Sequence, residues 1–123
     1  MGQNQSQDGS AKGSHRPVAL SNEDIDDLRA IEERFHALIR ERCGDLTEGL
    51  EMPKLDADTI KPLGEHTYFP VPGFYGGFSY WFQRGEDKRL EMVTESWCRV
   101  CGGSGQRHTI TPQSTTLVES GFV

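Results

Sequence analysis

The sequence predicts an α+β domain: one N-terminal amphipathic helix packed on an antiparallel β-meander of about four strands. Three observations carry this. Ile25, Leu28, Ile31, Phe35, Leu38 and Ile39 recur at the three-four spacing of a single helical face. From His66 onward the pattern changes: Phe78, Tyr80 and Phe82, and then Leu90, Met92, Cys98 and Val100, fall at period two, as in half-buried strands. Turn segments at 85–88, 102–105 and 112–114, each opened by glycine or proline, then interrupt the alternation at hairpin intervals. A helix followed by successive hairpins, with no alternation of helix and strand, folds as a roll rather than as a doubly wound sheet.

The helix is predicted over residues 21–43. Ser21 is a good N-cap, Asp24 stands at the capping-box position, and Leu20 and Ile25 are placed as a hydrophobic staple. Glu23, Asp24, Asp26 and Asp27 open the helix and Arg40 and Arg42 close it, which complements the macrodipole. Those acidic residues read as a solvated face, not as catalytic carboxylates. Gly44 is the expected left-handed C-cap. His36 flanks the apolar stripe and reads as a partly packed ring.

Residues 45–65 carry leucines at irregular spacing, interrupted by Pro53 and Pro62, and read as a loop anchored by single apolar side chains. Asp56 and Asp58 lack the glycine and closing glutamate of a calcium loop, so a turn or cap at Asp58-Thr59 is expected instead. Pro70 and Pro72 confine the short run Tyr68-Phe69-Pro70-Val71 to a sheet edge, if it pairs at all. Residues 76–84 form the next strand, with Phe78, Tyr80 and Phe82 on one face and Trp81 on the other. Residues 89–101, 107–111 and 115–119 complete the meander. This element order resembles that of cystatin-like and NTF2-like rolls, a likeness that carries no function with it.

Totals bound the function. A chain of 123 residues makes one domain. Its hydrophobic fraction of 34 % is low for a wholly packed chain and implies a segment outside the fold. That segment is residues 1–17, which after Met1 hold no large apolar residue and are expected to be disordered, leaving 18–123 as the domain. The net charge of −6 argues against nucleic acid and against plain electrostatic attachment to anionic lipid. The start Met1-Gly2-Gln3-Asn4-Gln5-Ser6 matches the N-myristoylation pattern at Gly2; a single acyl chain gives only weak membrane association. With three cysteines and no apolar leader in residues 1–20, the expectation is a cytoplasmic protein with free thiols, membrane-associated if Gly2 is acylated.

The densest cluster of chemistry is Cys98-Arg99-Val100-Cys101-Gly102-Gly103-Ser104-Gly105. It resembles one unit of the cysteine-rich region of DnaJ-type chaperones, and the resemblance implies zinc. That region joins two units per four-ligand site, and only one is present. Completion would need Cys43 and His108 to join Cys98 and Cys101. Residues three apart on a strand point to opposite faces unless a bulge intervenes, so no cofactor is expected. A redox disulfide at Cys98 and Cys101 lacks the helix N-terminus that lowers the thiol pKa in thioredoxin-type chemistry. Ser104 lacks the second glycine of a nucleophile elbow, because Gln106 stands there.

The segment from Pro72 to Trp81 interleaves aromatic residues with glycine. Aromatic rings beside flexible backbone suit recognition of peptides. The reading is therefore a small intracellular, non-enzymatic binding or adaptor protein. Its surface would comprise Phe74, Tyr75, Trp81, Trp97 and Arg107, on the sheet face that the helix leaves open to a protein or peptide partner, or to a second copy of the chain. The alternative is a small-ligand-binding roll or simple acid-base enzyme, with His66, Glu95 and His108 lining a pocket between helix and sheet.

Overall fold

The computed structural model describes residues 19–98 and 105–121. The N-terminal arm, the Gly2 acceptor and Cys101 lie outside the described residues. Helix α1 spans Asn22–Cys43, and a 3-10 turn follows at Gly44–Thr47. The strands are β1 (Thr67–Val71), β2 (Gly76–Arg84), β3 (Leu90–Cys98), β4 (Gly105–Ile110) and β5 (Thr115–Ser120). They form one antiparallel sheet in sequential order, with β1 and β5 at its edges. The α+β arrangement is as predicted, with five strands rather than about four. The added strand is the Pro70-containing run, which pairs in full with β2 because its proline sits on an edge where no further strand needs its missing N–H.

Helix α1 begins where the sequence places it. The Ser21 hydroxyl accepts from the Asp24 amide and the Asp24 carboxylate accepts from the Ser21 amide, both at 3.0 Å, a reciprocal capping box. Its end differs in detail. Gly44 has φ 56° and ψ −127°, a glycine conformation outside the left-handed helical basin, and its N–H donates to the Arg40 carbonyl.

The helix lays Leu28, Ile31, Phe35, Leu38 and Ile39 on the sheet, against Phe78, Tyr80 and Phe82 of β2, Leu90 and Met92 of β3, and Ile110 of β4. Phe35 meets the rings of Phe78 and Tyr80 edge-on at 5.8 and 5.0 Å. The long loop is pinned along the helix flank. The Leu55 amide donates to Glu32 at 2.8 Å, and His36 Nε2 lies 2.6 Å from the Pro53 carbonyl oxygen. The Asp56 carboxylate accepts from the Asp58 and Thr59 amides, which makes the turn expected there.

Only half of the acidic helix start is the solvated face the sequence suggests: Glu23 and Asp26 are exposed. Asp24 and Asp27 are buried, whereas Ile25 is only half-buried. Arg84, which ends β2, donates through Nη1 and Nη2 to Asp24 at 2.7 and 3.0 Å. Arg89, which precedes β3, donates through Nε and Nη2 to Asp27 at 2.8 and 2.6 Å. Two bidentate pairs thus clamp the helix N-terminus to the β2–β3 turn.

Arg84 holds the Asp24 carboxyl down from 3.8 to about 2. A depressed carboxyl pKa contributes stability that is complete above the unfolded value and is lost as pH falls through the folded one. The pair should therefore contribute about 1–2 kcal/mol above pH 4, allowing for solvent at its open edge, and lose it between about pH 4 and 2. Urea midpoints across that range should fall less steeply in Asp24→Asn than in the parent; equal slopes would refute the assignment.

Candidate binding face

Strand alternation sorts the sheet into two surfaces. Phe78, Tyr80, Phe82, Leu90, Met92 and Ile110 face α1, and the intervening residues face away. Register aligns the outward residues in rows. One row runs Tyr68, Ser79, Glu95, Arg107, Glu119 from β1 to β5. Its neighbour runs Pro70, Gly77, Trp97, Gly105.

The small residues on β2 shape this face. With Ser79 and Gly77 between them, Tyr68 on β1 and Trp97 on β3 lean together across β2, stacked at 5.9 Å between centroids and 26° between planes. An added Cβ on Gly77 would meet the Tyr68 hydroxyl at 2.9 Å and the Phe69 carbonyl oxygen at 2.4 Å. Tyr68, Tyr75, Gly76 and Trp97 line an open cleft of about 230 Å³. Tyr75 is 66 % exposed and holds φ 59°, a left-handed conformation that an aromatic residue adopts only at a cost of about 1–2 kcal/mol. Strain concentrated at an exposed aromatic ring beside a cleft is a pointer to function. A second stack stands nearby: His66 lies flat on Trp81 at 4.0 Å and 5°.

The row beside the cleft is ionic. Arg107 binds Glu95 through Nε at 2.7 Å and through Nη2, and Nη1 lies 3.5 Å from Glu119. These cross-strand pairs tie β3, β4 and β5 together on the open side.

Four of the five residues expected at a recognition surface are on or beside this face: Tyr75, Trp81, Trp97 and Arg107. Phe74 is not. It is 2 % exposed and stacks on Phe78 at 6.1 Å within the core, because the β1–β2 turn sends Phe74 inward and Tyr75 outward. Tyr68, which was not singled out in the sequence, lines the cleft instead. Its signal was the alternation Tyr68-Phe69, which on an edge strand puts one ring on each face.

The acid-base trio is not brought together. His66 and Glu95 belong to the outward side, whereas His108 is buried on the helix side, where burial and then the Arg42 charge push its pKa down. Of the zinc set, Cys43, Cys98 and His108 are among the described residues and Cys101 is not. No group of three or more histidine, cysteine or acidic side chains suited to a metal occurs among the described residues. Cys43 is a free, buried thiol whose pKa is raised by burial. Cys98 is disulfide-bonded, so the expectation of free thiols fails at this position. No described helix is long and apolar enough to cross a membrane.

Comparison of the chain with protein-family models, curated proteins and solved structures finds no match. The likeness to cystatin-like and NTF2-like rolls therefore remains one of element order.

Proposed function

We propose that this protein is a small, non-enzymatic intracellular binding or adaptor module that takes up an extended segment of a protein partner on the outward face of its sheet. One observation carries the reading: Tyr68, Tyr75 and Trp97 converge on an open cleft that Gly76 also lines. Stacked rings with phenol and indole tips offer apolar area together with hydrogen-bond donors for peptide carbonyls. An extended, proline-rich strand suits such a cleft, since its rings stack and its carbonyls are unpaired. Acylation at Gly2 would add weak membrane association to the same module.

The test is affinity for a peptide selected from a displayed random library against the full chain. Trp97→Ala should weaken binding at least tenfold, in the range of an aromatic hot spot, while leaving unfolding cooperative. Tyr75→Gly should separate the two roles of that residue: removing the left-handed strain raises stability by about 1 kcal/mol, and removing the ring weakens the peptide. Selected peptides that bind both variants as tightly as the parent would end this reading.

A further inference from the structure

A second feature lies on the opposite side of the sheet. Every side-chain nitrogen or oxygen that is buried without a hydrogen-bond partner among the described residues belongs to one of three residues: Arg42 (Nε and Nη2), Ser96 (Oγ) and His108 (Nδ1). Ser96 is 0 % exposed and His108 is 8 % exposed. Both sit on the helix-facing side of the sheet, on adjacent strands β3 and β4. Arg42, in the last turn of α1, lies over the Phe74 ring at 5.9 Å. Phe74 stacks on Phe78, which is the register partner of Ser96. The Arg42 charge also reaches His108, where it opposes protonation. The three residues thus gather where the C-terminal end of the helix meets β3 and β4.

Their isolation departs from the habits of this molecule. Thr94, the preceding inward residue on β3, donates its hydroxyl to the Ser79 carbonyl at 3.0 Å. Nε and Nη2 together form the side-on edge with which a guanidinium grips two oxygens. Arg89 and Arg107 use that edge on Asp27 and Glu95, and Arg34 uses it on the Pro112 and Gln113 carbonyls. On Arg42 the same edge is buried and unfilled. Burial penalises its charge, and the ring of Phe74 offsets only part of that. A buried guanidinium edge, a hydroxyl and an imidazole in its Nδ1–H tautomer form a donor set for a small oxyanion.

We propose that Arg42, Ser96 and His108 form a binding site for a small oxyanion, a carboxylate or a phosphate, between the C-terminal end of α1 and strands β3 and β4. The site is separate from the outward aromatic cleft and does not depend on the function assigned to it.

The experiment uses the full chain with inorganic phosphate and, separately, acetate, each titrated against chloride at matched ionic strength. At least one oxyanion should raise Tm saturably over millimolar concentrations and shift the Arg42 Nε–H resonance. Arg42→Gln should weaken that response at least tenfold without loss of fold, since it removes a buried charge. Ser96→Ala should weaken it several-fold. A response to phosphate alone identifies a phosphoryl ligand, one to acetate alone a carboxylate, and one to both the shared class. No response beyond chloride would overturn the proposal and leave ordered water as the partner of these groups. A response of parental strength in Arg42→Gln would also overturn it.

Discussion

Phe35→Ala is expected to destabilise the domain by about 3–5 kcal/mol, the range for deleting a buried phenyl ring whose surroundings cannot collapse. Phe35 is fully buried at the middle of the helix and is the point at which helix and sheet interlock, edge-on to both Phe78 and Tyr80. The backbone on each side is held by independent constraints. The Asp24–Arg84 and Asp27–Arg89 pairs fix the helix start, and the Leu55 and Pro53 contacts fix its flank. Those anchors keep the helix from settling into the space a lost ring leaves, so the cavity persists and the cost lies toward the upper end. Domains of this size have only about 5–15 kcal/mol in total. Urea unfolding should therefore show a large drop in midpoint at an unchanged m-value. A loss below 1 kcal/mol would mean that the helix does not rest on the sheet through this residue.

Much of this architecture is legible in the residues. The capping box at Ser21 and Asp24 is a local arrangement that depends on nothing distant. The alternation from Phe78 to Phe82 needs only the pleat of a strand. What escaped was decided by tertiary partners or by turn geometry. Asp24 and Asp27 look like ordinary dipole-favoured acids until Arg84 and Arg89, some sixty positions later, arrive at the same place. The one local hint was that the two aspartates share a helix face and the two arginines flank one tight turn. Phe74 and Tyr75 are chemically alike and adjacent, and only the positive φ at Tyr75 sends one ring inward and the other outward. The unfilled guanidinium of Arg42 carries no sequence signal, because a basic residue in the last helical turn is what the dipole favours anyway.

Gly76→Ala should couple the fold to the cleft most directly. An added Cβ there would stand 2.1 Å from the Trp97 carbonyl oxygen and 3.0 Å from its carbon. Both are backbone atoms, so no side-chain rotation relieves the clash; β2 and β3 must separate at the Gly76–Cys98 and Gly77–Trp97 pairs. Overpacking of this kind typically costs about 1–3 kcal/mol, and the backbone character of the clash places Gly76→Ala near 3. Trp97 moves with its own carbonyl, and its ring forms one wall of the cleft while Gly76 forms part of the lining. Stability and peptide affinity should therefore fall together in this variant. In Trp97→Ala the pairing of the strands is intact, and the loss should fall mainly on affinity. Urea unfolding and peptide titration on the two variants side by side distinguish these outcomes. If Gly76→Ala kept full affinity despite its destabilisation, the spacing of β2 and β3 would not be what shapes the recognition surface.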